Sequence, residues 1–263
     1  FVSFFPQLVA GPIERPENLL PQLKEDHRLE AENAYFGLRK MAVGFFKKIV
    51  VADLLAEFVN AVYNNASEAT GLGVIIASAL FSVQIYCDFS GYTDIAIGCA
   101  RVMGIRLMQN FNRPYSARSI KEFWARWHIS LSSWLQEYLY IPLGGNRKGK
   151  ARQVLNSMIV FLCTGIWHGA NLTFLVWGFF HGILISIETL ILRKNKEVPK
   201  ALAPLGWLIT MAVVVLGFVI FRSDNLNYAI GYIVQMFTVS ESKTGYEILL
   251  SIVTPSYITT MAV

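Results

Sequence analysis

Apolar runs alternate along this chain with short basic or broken stretches. Residues 1–21 (FVSFFPQLVAGPIERPENLLP) begin apolar and are then cut by Pro6, Pro12, Pro16 and Pro21. That spacing forbids one continuous helix and predicts a helix end passing into a loop that carries Glu14 and Arg15. After the charged stretch 25–32, residues 31–63 read as helix, with Lys47 and Lys48 in the middle, either interfacial or snorkelling from a span. Residues 71–85 form a clear membrane span, apolar onward to Met103 except for Asp88-Phe89-Ser90-Gly91-Tyr92-Thr93-Asp94, where Gly91 suggests a broken or kinked helix. Residues 109–136 are amphipathic and aromatic. They predict short helices lying along the membrane surface or dipping into it, with Ser116 or Ser119 as a cap and Glu122 completing a capping box. A turn at 141–145 (IPLGG) precedes the basic loop 146–152. Then follow a short span over 153–167, a full-length span over 172–192, a second basic loop over 193–200 and a further span over 204–221. Residues 228–239 and those from Tyr246 onward are too short to assign. No internal repeat is evident.

Composition agrees with this pattern. The 263 residues are 54% hydrophobic and 16% charged, whereas soluble domains carry about a quarter charged residues. The class is therefore all-α: a polytopic membrane helix bundle with interfacial and broken helices. The chain opens in mid-hydrophobic sequence and closes in another apolar run, so residues 1–263 read as one integral-membrane domain, a fragment of a larger bundle truncated at both ends. The net charge of +5 collects in short loops and serves as a topology signal. No basic face interleaved with exposed aromatics indicates nucleic acid. Two basic loops separated by two spans belong on one side, the cytoplasmic side by the positive-inside rule. His168 then lies about 24 Å of helix beyond Arg152, deep in the bilayer or near its far face.

Candidate chemistry concentrates in residues 161–182, FLCTGIWHGANLTFLVWGFFHG, which hold His168 and His181 and no charged residue. Burying imidazoles in so apolar a setting costs free energy, more if they are charged. His128, His168 and His181 lack the four-residue spacing of helical metal ligands, and no metal is expected. Cys87, Cys99 and Cys163 lack CxxC spacing and read as packing. A G-x-S-x-G elbow and a P-loop are both absent from the sequence. A neutral imidazole in an apolar cavity can accept a proton from a hydroxyl that attacks a thioester, and Trp167, Asn171 or amides near Gly169 could serve a developing oxyanion. Residue chemistry leaves His168 either such a base or a hydrogen-bonded tie between helices. His181 reads as its support, and His128 as a second polar contact. Asp88, Asp94 and His168 would equally suit a proton- or ion-coupled transporter or channel, although the carboxylates also read as ties between helices. A structural subunit of an envelope-export complex is the third reading.

Six stretches together resemble the membrane-bound O-acyltransferase family: FFPQLVAGPIERP from Phe4, QIYCDFSGYTDIAIG from Gln84, NFNRPY from Asn110, FWARWHISLSSWL from Phe123, YLYIPLGGNR from Tyr138 and GIWHGANLTFLVWGFFHG from Gly165. Within that family the chain is similar to the bacterial branch that O-acetylates alginate or peptidoglycan. The resemblance implies a multi-helix bundle with funnels from both faces meeting as a central tunnel at a thin partition. It also implies His168 as the catalytic histidine and His128 as a second functional one. Trp127, Arg126 and Asp88 stand as supporting candidates on residue chemistry, Arg126 with Arg147 and Lys148 as cations that would attract the donor's phosphates at the cytoplasmic mouth. A cytoplasmic acetyl donor, acetyl-CoA, would supply the group as substrate, with no bound cofactor. The acceptor would be an extracytoplasmic polysaccharide or partner acetyltransferase, and the location the bacterial inner membrane, surrounded by lipid. One departure is Gln136-Glu137-Tyr138, where the family often carries Arg-Asp-Tyr, so a cation is lost there.

Overall fold

The computed structural model describes residues 1, 3–8, 11–191 and 202–238, and the described residues form helices joined by short loops, with no strand among them. The second basic loop, Val239 and the run from Tyr246 lie outside them. Pro16 opens α1 (Pro16–Lys24), preceded among the described residues by a 3-10 turn at Phe5–Gln7. Glu14 and Arg15 lie in the loop between them as expected, but Pro21 sits inside α1, so a short helix follows that loop where none was predicted.

Helix α2 (Ala31–Phe45) runs through a π-helical stretch at Phe46–Ala52 into α3 (Asp53–Asn64). It packs along α4 (Gly71–Val102), which Thr70 caps by accepting from the Gly73 amide at 3.0 Å. Helix α4 is unbroken, which corrects the expectation of a break at Gly91. That glycine serves close approach instead. A Cβ built on Gly91 would stand 2.7 Å from the Gly44 carbonyl oxygen, and one on Gly44 would stand 2.6 Å from that of Gly91. Gly37 and Gly98 repeat the arrangement seven residues away, at 2.5 and 2.6 Å. Small residues let helix backbones touch where a bilayer supplies little hydrophobic drive. Lysines of the α2 arm flank this seam. Asp94 accepts from Lys40 at 2.7 Å and Lys47 at 2.6 Å, while Asp88 pairs with Lys48. The lysines predicted to snorkel are thus partnered by the two carboxylates.

Two short helices follow, α5 (Ile120–Trp124) and α6 (Ile129–Leu135), the latter running into a π-helical stretch at Gln136–Tyr140. They dip into the bundle: Phe123 and Trp127 are buried in the main core with Phe58, Val59, Phe81, Val214 and Phe218. Ser119 caps α5 by accepting from the Glu122 amide at 3.1 Å. Glu122 reaches the Arg118 amide at 2.7 Å, one residue before the position a capping box requires, and Ser116 bonds the Arg113 carbonyl instead of capping α5.

Helix α7 (Gly149–His168) pairs with α8 (Leu172–Ile191), Lys150 Nζ reaching the Leu190 carbonyl at 3.4 Å, so the first basic loop lies at the far end of α8. Gly165 belongs to this interface: its added Cβ would clash with the Phe174 carbonyl, so the region predicted to break the helix is helical. Helix α9 (Ala203–Arg222) packs on α8 and α4, and α10 (Leu226–Gln235) forms in the stretch too short to assign from sequence. Helices α4, α8 and α9 are long and apolar enough to cross a membrane. Helix α7, predicted as a short span, falls outside that set, with Lys150 and Arg152 in its opening turn.

Candidate active site

His168 is the last residue of α7. Gly169 follows with φ 149° and ψ 172°, a conformation that glycine adopts readily and L-residues rarely, so the helix stops there. Asn171 starts α8 by accepting from the Thr173 amide at 3.0 Å, and its side-chain nitrogen donates to the Asp224 carbonyl at 2.7 Å. This ties the α7–α8 turn to the end of α9. Asn171 is therefore engaged at both ends, and the Gly169 amide donates to the Ile166 carbonyl at 3.2 Å. Two of the three oxyanion donors expected from the sequence are committed to the fold.

The His168 ring is enclosed by aromatic side chains. Its centroid lies 4.9 Å from Trp167, 5.1 Å from Phe221 and 5.3 Å from Trp177. It has no hydrogen-bond partner among the described residues, so its nitrogens are free for a substrate. Trp167, 57% exposed, also approaches the His128 ring at 6.1 Å and so neighbours both imidazoles.

His128 precedes α6 with a left-handed backbone, φ 46°, and is 6% exposed. The strained turn is held by Asn110, whose carbonyl accepts from the Ile129 amide at 2.9 Å. The Asn110 side-chain oxygen accepts from the Ser130 amide at 3.2 Å and lies 3.4 Å from His128 Nδ1. An amide N–H only donates, so the atom it meets on Asn110 is the oxygen. An oxygen of that kind only accepts, so His128 carries its proton on Nδ1 and leaves Nε2 as a lone pair. Phe89 lies edge-on at 4.7 Å.

Both imidazoles line a cavity of about 70 Å³, walled by Ile85, Phe89, Trp127, Leu131, Phe218 and their neighbours. A second cavity of about 430 Å³ shares Trp124 and Leu131 with it and runs beside α7 from Thr164 past Ser157 to Tyr140 and Gln136. His181, 1% exposed, lies behind this wall, where Trp124 Nε1 donates to its Nδ1 at 3.3 Å.

The other expected site residues fall elsewhere. Arg126 is occupied by Glu122 at 2.7 Å and Ser116 at 3.1 Å. Asp88 faces Lys48 and is not part of the cavity wall, although Ile85 and Phe89 on the same helix are. Trp127 stacks on Phe123 at 5.5 Å within the wall. Glu137, at the departure from the family pattern, pairs with Arg15 at 2.7 Å. The sequence reading missed Asn110 and Trp177 as site residues. Trp177 stands four positions before His181, one helical turn away on the same face, and that spacing was a usable signal. Among the described residues no group of three or more His, Cys, Asp or Glu is placed to hold a metal ion.

Residues 1–230 match the family described as MBOAT, membrane-bound O-acyltransferase family. The chain is 44% identical over 230 residues to the probable alginate O-acetylase AlgI of Pseudomonas aeruginosa, covering 87% of this chain and 43% of that protein. It is 44% identical over 236 residues to the peptidoglycan O-acetyltransferase of Helicobacter pylori, with 88% and 44% covered. It is 28% identical over 243 residues to the teichoic acid D-alanyltransferase of Bacillus subtilis, with 87% and 61% covered. The chain thus spans less than half the length of the two O-acetylating relatives. The aromatic-walled histidine pair, the apolar helices and these matches lead to one conclusion: the chain belongs to the membrane-bound O-acyltransferase family.

Proposed function

We propose that this protein is a membrane-embedded O-acetyltransferase that moves an acetyl group from acetyl-CoA at the cytoplasmic face toward an extracytoplasmic polysaccharide. Alginate or peptidoglycan is the acceptor class, and a partner protein completes delivery. The observation that carries the reading is the meeting of His168 and His128 in one small cavity of about 70 Å³. That is about twice a water's share of liquid volume, room for a two-carbon acyl group and little more. The adjoining cavity of about 430 Å³ shares Trp124 and Leu131 with it and extends along α7 as far as Ser157, toward the half of that helix that follows the basic loop. It suits a thin thioester arm, with the charged part of the donor left outside near Arg147 and Lys148.

In this mechanism the acceptor hydroxyl attacks the thioester carbonyl while a His168 nitrogen takes its proton. The carbon–sulfur bond then breaks, and the thiolate leaves with that proton. His128, its proton fixed on Nδ1 by Asn110, presents Nε2 to orient the hydroxyl. The ion-path alternative gains less support, because Asp88 and Asp94 are paired with lysines and only His168 of that trio lines the cavity.

The test uses the full-length protein in liposomes of inner-membrane lipid with radiolabelled acetyl-CoA, supplied with envelope acceptor and partner. Label should leave the donor in wild type and stay in His168→Ala. Equal release in both would sink the proposal, and proton flux lost in Asp88→Asn would favour transport instead.

A further inference from the structure

Trp177 is 3% exposed, lines the histidine cavity, and has an indole N–H that is buried with no hydrogen-bond acceptor among the described residues. Its neighbours account for its ring but not for its donor. The ring meets His168 edge-on at 5.3 Å and His181 at 5.2 Å, and packs on Phe221 at 5.2 Å. Trp124, an indole in the same wall, has its N–H satisfied by His181. Buried indole N–H groups usually find a partner, and one left alone loses the hydrogen bond it made to water. A phenylalanine would fill most of the same wall without that loss. The orphan donor lies on the ring that flanks the reactive imidazole, while Asn171 and the Gly169 amide are already occupied.

We propose that Trp177 Nε1–H is the hydrogen-bond donor for the acyl carbonyl oxygen, a catalytic residue of the acyl-transfer reaction on whose reading this inference rests. As the acceptor oxygen bonds to the carbonyl carbon, the carbonyl π pair moves onto oxygen, and the indole N–H donates to that developing charge. When the carbon–oxygen double bond re-forms, the pair of the carbon–sulfur bond leaves on sulfur, which takes the proton held by His168. The indole proton stays on nitrogen throughout. A donor aimed at charge that grows in the transition state accelerates the step with little effect on ground-state binding.

The experiment replaces Trp177 in the full-length protein by benzothienylalanine, which has the indole's shape without its N–H, alongside Trp177→Phe. Acetyl release from acetyl-CoA and the denaturation temperature are measured for each. The expected result is a kcat lower by about 100-fold, the loss typical of one oxyanion donor, with the KM for acetyl-CoA nearly unchanged. The denaturation temperature of the isosteric variant should hold or rise, because a buried unpaired donor has been removed. A wild-type kcat in that variant overturns the proposal. So does a fall in activity that merely follows a fall in denaturation temperature, since that marks a structural N–H. If wild type itself shows no His168-dependent release, the acyl-transfer reading fails first, and does so before any Trp177 variant is compared.

Discussion

The seam between α2 and α4 allows a substitution whose sign can be worked out beforehand. In Gly44→Ala the new methyl would lie 2.6 Å from the Gly91 carbonyl oxygen, 2.8 Å from Ile95 Cγ1 and 2.9 Å from the Ile95 amide nitrogen, where ordinary contact begins at 3.4 Å. Two of these three atoms are backbone, so the helices themselves must part by about 0.8 Å to restore contact, and a gap of that size forfeits a quarter to a half of each dispersion contact along the seam. Overpacking of this kind costs about 1–3 kcal/mol. Alanine returns up to about 1 kcal/mol through its better helix propensity, which leaves a net loss of roughly 1–2 kcal/mol. Gly231→Ala is the matched control. It lies in α10 with nothing within 4 Å of its added Cβ, so only the propensity gain applies. Both variants are unfolded by denaturant in detergent micelles and followed by circular dichroism. Gly44→Ala should unfold more easily than wild type, and Gly231→Ala no more easily. If the two behave alike, the close approach of α2 and α4 is not what holds this pair.

Asn110→Ala removes the acceptor shared by the Ser130 amide, the Ser130 hydroxyl and His128 Nδ1. Each buried orphan costs about 1–3 kcal/mol, so both stability in denaturant and acetyl release should fall, and an unchanged acetyl release would refute the tautomer assignment. Leu131→Ala opens the wall common to the two cavities. It should raise the ratio of propionyl-CoA to acetyl-CoA turnover at a stability cost of about 2–5 kcal/mol, and an unaltered ratio would show that this wall does not measure the acyl group. Asp94→Asn leaves two lysines without their carboxylate, whereas Asp88→Asn strands Lys48, which keeps Asp53 at 3.7 Å. Thermal unfolding should therefore rank Asp94→Asn as the more destabilised, and the reverse order would contradict the pairing.

The sequence made the helix order legible because apolar runs and basic loops report on local chain segments. It made His168 legible because an imidazole amid uncharged residues is conspicuous on its own. What it concealed depends on partners distant in sequence. Gly91 looked like a break beside two carboxylates. Only Gly44, 47 residues earlier, shows it to be a contact surface. Asn171 looked available because nothing nearby in sequence reveals the Asp224 carbonyl beside it, whereas Glu122, four residues before Arg126, was a legible partner that the reading passed over. Asn110 carries no charge and sits in a loop, so its hold on His128 emerges only when 18 residues of chain fold back.

The two helix pairs bear on how the protein is made. Helix α4 follows the α2–α3 arm across six residues, and α8 follows α7 across a three-residue turn, so each pair is made from neighbouring stretches of chain. His128 belongs to neither pair. It rides on the inserted segment that α4, α8 and α9 enclose, with α5 pinned where its Lys121 amide donates to Glu188 of α8 at 3.0 Å. The two imidazoles therefore meet only once α4, α8 and α9 have packed around that segment. On the proposed function, completion of the histidine site is then a late assembly event that waits on the packing of distant helices.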